Sequence, residues 1–151
     1  MEKQPSSRLC FVCGVQNPVG LQVFFYQDEQ GQVLANFTGE EKHQGYPGYM
    51  HGGIITALLD EVIGRAAIAR GLWGVTAKLE VKFRQPVPLG QTLTLTGELI
   101  RQGSRRLEGR GEMQLQDGSI AAEAEGVYAL MPEEDVVQLK GKSDLWEVVP
   151  D

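Results

Sequence analysis

Two apolar runs, Leu21 to Tyr26 (LQVFFY) and Val33 to Thr38 (VLANFT), flank the polar stretch Asp28–Gly31 (DEQG), a spacing that predicts a hairpin. A glycine- and aromatic-rich loop, Gly45 to Gly53 (GYPGYMHGG), leads into Ile54 to Arg70, the only long segment with helical spacing. After Gly71 the period changes to two. Thr76, Lys78, Glu80, Lys82 and Arg84 alternate with Ala77, Leu79, Val81 and Phe83, which predicts a strand with one polar and one apolar face. Pro86 to Gly90 (PVPLG) breaks it. Strand-like runs follow near Thr92–Arg101, Leu107–Gln116 and Ile120–Leu130, separated by Gly103-Ser104 and by Asp117-Gly118, a hairpin signal. Two strands, one long helix and four strands make an α+β protein, with a mostly antiparallel sheet of about six strands and the helix on one face. The organisation expected is a lead-in over 1–20, one domain over 21–131 and a polar acidic tail over 132–151.

At 100° per residue, Ile55, Leu58, Leu59, Val62, Ile63, Ala66 and Ala69 form the stripe that should pack on the sheet. The opposite side carries Gly53, Thr56, Ala57, Asp60, Gly64 and Ala67, small residues around one carboxylate. A solvated face would be rich in Lys, Glu and Gln, so this one is shaped for close contact with a backbone or a ligand. Asp60 is therefore a candidate functional acid, beside the plainer reading of a solvated or interface carboxylate. Glu61 lies 100° further round and precedes Arg65 by four residues, which reads as an exposed helix ion pair. His51-Gly52-Gly53 stands directly before the helix. Unpaired N–H groups at a helix start favour negative charge or a polarised carbonyl, and two glycines leave them open to a ligand.

The composition narrows the function classes. The chain has 151 residues, 42% of them hydrophobic, with 14 basic against 20 acidic side chains and a net charge of −6. That suits one globular domain with a real core. It argues against a nucleic-acid binder, which needs a basic surface to displace counterions. No apolar run approaches the roughly 20 residues of a membrane span, and Met1 to Cys10 lacks the apolar centre of a signal peptide. With only Cys10 and Cys13, a reducing cytoplasm is the expected compartment.

The string His51-Gly52-Gly53-Ile54-Ile55-Thr56-Ala57-Leu58-Leu59-Asp60, with its acid nine residues after the histidine, resembles the hotdog-fold thioesterase superfamily, in its PaaI-like, 4-hydroxybenzoyl-CoA thioesterase-related branch. Gly48, the strand Thr76–Phe83, the Pro86–Gly90 break and the order of elements extend the likeness over about Leu21 to Leu130. The resemblance implies a long helix wrapped by a curved antiparallel sheet, and a homo-oligomer (a dimer or dimer of dimers) with active sites at the dimer interface. It implies that the Gly52 N–H forms an oxyanion hole, with His51 and Gly53 beside it. Asp60 of the neighbouring protomer would act as general base or nucleophile. Thr76 matches a position where relatives often carry Ser or Thr near the reacting centre; as a β-branched strand residue it also has a purely structural reading. Relatives often place Asn or Gln six residues before the histidine. Here that position is Gly45, and Gln44 beside it is the candidate to orient water.

An acyl-CoA substrate carries phosphates. Between Lys78 and Arg110 lie seven bases against three acids, from which Lys82, Arg84, Arg105 and Arg106 are candidate nucleotide contacts. The same charges also suit the solvent face of a sheet. Tyr46, Tyr49 and Trp73 could line an acyl site or belong to core and interface. No cofactor and no metal is expected: Cys10-x-x-Cys13 lacks the second pair that a closed zinc site needs, although His43 and His51 could in principle be recruited. The leading reading is an acyl-CoA or related thioester hydrolase. A non-catalytic acyl-ligand binding or scaffold protein on the same fold is the alternative. A hydratase or dehydratase ranks last, because His43 stands 17 residues before Asp60. Most of the net charge lies beyond Pro132, so it does not count against an anionic substrate.

Overall fold

Helix and sheet meet where the sequence removes a side chain. A Cβ on Gly97 would stand 2.3 Å from the Val62 carbonyl oxygen, so only glycine lets the helix backbone rest on the strand beneath it. The computed structural model describes residues 1–142 and 146–151. In chain order its elements are β1 (Glu2–Lys3), β2 (Ser6–Ser7), β3 (Phe25–Gln27), β4 (Val33–Thr38), a 3-10 turn (Glu41–His43), α1 (Gly52–Ile68) and β5 (Gly74–Phe83). After these come β6 (Thr92–Gln102), β7 (Arg106–Gln114), β8 (Ile120–Leu130), α2 (Glu133–Lys140) and β9 (Trp146–Glu147). Seven strands form one antiparallel sheet in the order β1-β3-β4-β6-β7-β8-β5, and α1 packs across it. This is the α+β hotdog arrangement.

The seventh strand is β1, from the lead-in, which pairs onto β3. The first strand of the expected hairpin is shorter than its apolar run. Gln22 takes a positive φ of 54°, and the Leu21 and Val23 N–H groups bond to Phe11 and Val12 of the lead-in instead of to β4. The helix begins at Gly52, two residues early, because His51 caps it: its Nδ1 accepts the Gly53 N–H at 2.8 Å.

The expected core stripe is buried from Ile55 through Ala66, against Leu93, Leu95, Leu107 and Met113 of the sheet. Ala69 is only half-buried, whereas Ala67 and Arg65 are buried too. The lead-in and the last strand cover the side of α1 that the sheet leaves open. Arg65, read as half of an exposed pair, is 1% exposed. Its guanidinium donates to Glu61 Oε1 and the Pro5 carbonyl, and stands 4.9 Å from the Phe25 and Trp146 ring centroids. The polar tail likewise carries structure. It forms α2, and β9 pairs with β2, setting Trp146 against Trp73 at 4.9 Å between ring centroids.

Candidate active site

Strand β5 is the edge of the seven-stranded sheet, and it is irregular at the position that matters. Its register on β8 slips between Thr76, opposite Tyr128, and Lys78, opposite Val127. Strict alternation puts Thr76 on the polar outer face with Lys78, Glu80 and Lys82. The extra residue at Ala77 resets the alternation, so Thr76 turns inward with Leu79, Val81 and Phe83. Thr76 and Tyr128 thus face α1 side by side and grip one acid. The Thr76 hydroxyl donates to Asp60 Oδ1 at 2.9 Å, and the Tyr128 hydroxyl donates to the same oxygen at 2.9 Å. Tyr128 is 3% exposed, and burial, reinforced by the neighbouring Asp60 carboxylate, pushes its phenol well above the ordinary value. It therefore stays a donor, and Asp60 stays oriented with Oδ2 free.

Asp60 lines an open recess with Gly64, Ile68, Trp73, Gly74, Thr76 and Tyr128, and Glu61 and Arg65 border the same recess. At about 140 Å³ the recess is well below the roughly 300–1,000 Å³ of an ordinary small-molecule site.

The second group of candidate residues lies at the helix start. The His51 N–H bonds to the His43 carbonyl at 2.9 Å, and the Gly53 N–H is taken by His51 Nδ1. The Gly52 N–H has no acceptor among the described residues and lies beside the exposed Phe83 ring. An accepting Nδ1 leaves the His51 proton on Nε2. So His51 and Gly53 shape the turn, and Gly52 presents the open donor. Eight residues separate Gly52 from Asp60, about 12 Å along the helix. Reacting groups must come within about 3–3.5 Å of one substrate atom, so these two cannot serve one carbonyl within a single protomer.

The remaining candidates are scattered. Gln44 is spent in part on the loop, its Oε1 accepting the Gly48 N–H at 2.8 Å, with the amide nitrogen left over. Arg84 donates to Glu123 across the outer face, which offsets its charge, and Lys82 stands opposite the same residue in the strand register. Arg105 and Arg106 are exposed and have no carboxylate partner among the described residues. Tyr46 and Tyr49 project from the loop before α1, while Trp73 reaches the Asp60 recess. The sequence reading missed Tyr128. Its signal is an inward tyrosine in the Ile120–Leu130 alternation, since a buried phenol requires a hydrogen-bond partner.

Residues 47–122 match the family model described as "Thioesterase superfamily". Acyl-coenzyme A thioesterase THEM4 of Mus musculus is 29% identical over 107 residues, which cover 70% of this chain and 46% of that protein. The chain thus spans about half the length of the curated relatives it matches. Among solved structures, a thioesterase superfamily protein aligns with a TM-score of 0.77 at 34% identity, covering 80% of this chain and 63% of that one. The E. coli PaaI protein shares the fold, with a TM-score of 0.69 at 22% identity over 74% of this chain and 81% of that one. Among the described residues no helix is long and apolar enough to cross a membrane.

Proposed function

The chain belongs to the thioesterase superfamily, and from that premise we propose that it hydrolyses acyl-CoA, or a related acyl thioester, at a site shared between two copies. The observation that carries the reading is the division of labour along α1: an oriented carboxylate at Asp60 and an open N–H at Gly52, about 12 Å apart. Strand β5 offers the way to join them. It is a ten-residue edge strand with Val75 56% and Phe83 54% exposed, a surface that soluble proteins seldom leave uncovered. Two such edges paired antiparallel bring the Thr76–Asp60 end of one copy to the Phe83–Gly52 end of the other. The pairing is two-fold and yields two equivalent sites, in a dimer or a dimer of dimers.

At each site the Gly52 N–H of one copy stabilises the charge that develops on the thioester oxygen, strengthened by the positive end of the helix. The Asp60 carboxylate of the other copy attacks the carbonyl carbon, or takes a proton from the water that does. The carbon–sulfur bond then breaks and the thiolate of CoA leaves and is protonated; where Asp60 itself attacks, water cleaves the mixed anhydride left on it, and by either route the acyl group ends as a carboxylate. The amide nitrogen of Gln44 is placed to orient the water. Arg105 and Arg106 are the cations with charge to spare for the phosphates of CoA, ahead of Lys82 and Arg84. The free thiols of Cys10 and Cys13 suit a reducing, cytoplasmic setting.

A panel of acyl-CoAs assayed for released thiol tests the reading. Turnover of at least one, lost by about 10²–10⁴-fold in Asp60→Asn, is expected. Saturable binding of acyl-CoA with no turnover of any thioester would replace it with a binding or scaffold protein.

A further inference from the structure

The lead-in contributes nothing to the reaction above, yet it closes over α1 one residue from Asp60. Three ionisable groups converge there: the ligand atoms of Cys10, Cys13 and Glu61 all lie within 4.8 Å of one another. We propose that these three side chains bind a thiophilic divalent cation of the zinc class, with the fourth coordination position left for water.

The turn is already shaped around its sulfurs. The Val12 N–H points at Cys10 Sγ (3.4 Å) and the Ser7 N–H at Cys13 Sγ (3.3 Å), the kind of outer-sphere donors that hold thiolate ligands in place. Gly14 closes the turn so tightly that a Cβ would sit 2.5 Å from the Cys10 carbonyl oxygen and 2.6 Å from that of Arg8. Zinc bonds of about 2.3 Å to sulfur and 2.0–2.2 Å to oxygen put tetrahedral ligand atoms roughly 3.5–3.8 Å apart, so closing the site takes shifts of about 1 Å. Arg65 engages Oε1 of Glu61, which leaves Oε2 as a ligand. Two thiolates and a carboxylate beside one guanidinium leave two negative charges, which one divalent cation cancels.

The sequence expectation of no metal rested on the cysteine pair alone, with His43 and His51 as the only recruits. Both histidines are occupied at Nδ1, by the N–H groups of Glu40 and Gly53. The third ligand comes instead from Glu61, 48 positions beyond Cys13 and read from the sequence as half of a surface pair.

The test is a cobalt(II) titration of the reduced full-length protein, with a phosphine rather than a thiol as reductant. Expected are a thiolate-to-cobalt charge-transfer band and tetrahedral d–d bands that saturate at one equivalent and are displaced by zinc. Cys13 is fully buried and its replacement risks unfolding the lead-in, so Cys10→Ser, at a half-buried position, is the decisive cysteine variant and should lose most of the charge-transfer band. Glu61→Gln should weaken binding at least about tenfold. No charge-transfer band in the wild-type protein overturns the proposal. So does unaltered binding in Cys10→Ser or Glu61→Gln, or a Cys10–Cys13 disulfide that persists under these conditions and excludes cobalt.

Discussion

Asp60 and Glu61 are consecutive carboxylates on one helix, both half-buried and both bordering one recess, and 100° of rotation gives them different partners. Asp60 faces the open edge of the sheet, where two neutral hydroxyls hold one oxygen and leave the other exposed to the recess. Glu61 borders the same recess, but its carboxylate is held against a buried guanidinium and two thiols. The first arrangement orients a carboxylate without neutralising it, which suits a base or nucleophile. The second neutralises the carboxylate and ties the lead-in to the helix. Residue type is nearly the same; what packs on each face decides the role.

The comparison breaks most readily at Asp60. Asp60→Asn keeps the size and both hydroxyl partners, so thioester turnover should fall by about 10²–10⁴-fold with the fold intact by circular dichroism. Persisting turnover would move the chemistry elsewhere. On the other face, Arg65→Met should cost about 3 kcal/mol of stability in urea unfolding, because it strands Glu61 and the Pro5 carbonyl. Its effect on turnover should be far smaller than that of Asp60→Asn. Equal losses of activity from the two variants would erase the distinction between the faces.

A finer cut is Tyr128→Phe. Losing a hydroxyl bonded to a charged group should lower kcat about tenfold while KM holds, since Thr76 still grips Oδ1. A change in KM alone would make Tyr128 a substrate contact instead. The smallest effect concerns the two histidines, which obey the same rule. His51 is exposed and caps α1; His43 is 5% exposed, tilted against Phe37, and its Nε2 has no partner among the described residues. Burial lowers the His43 pKa from its ordinary 6.5, so the unfolded chain takes up the proton first as pH falls. This contribution is complete above about 6.5 and is lost on acidification below it. His43→Asn, which preserves an acceptor for the Glu40 N–H, should flatten that part of the stability–pH curve.

Much of this was legible from local pattern. An apolar run beside a turn located β4, the period-two and strand-like runs after Gly71 located β5 to β8, the 3.6 period located α1, and the string from His51 to Asp60 marked both the open donor and the acid. Less legible was whatever depends on a neighbour distant in sequence. Thr76 was noted, but its inward turn comes from a bulge that alternation alone cannot reveal. Tyr128 is 68 positions from the acid it orients. Glu61 and Arg65 satisfy the i,i+4 rule for a surface pair, and only the docking of residues 1–20 and of Trp146 buries them. Lys82 and Arg84 formed a basic window in sequence, yet β8 supplies Glu123 opposite them.

The central claim is that Gly52 of one copy and Asp60 of another form one hydrolytic site. Gly52→Pro removes that single N–H at the first helical position, where proline is well tolerated, and His51 already has the extended backbone (φ −63°, ψ 136°) that a following proline requires. Alone it should reduce turnover by about 10²–10³-fold, the cost of one oxyanion donor. The decisive measurement mixes equal amounts of Gly52→Pro and Asp60→Asn, unfolds and refolds them together, and assays released thiol from acyl-CoA. Random pairing should restore about a quarter of the wild-type rate, because each hybrid keeps one intact site. A mixture no more active than its two components would contradict the account.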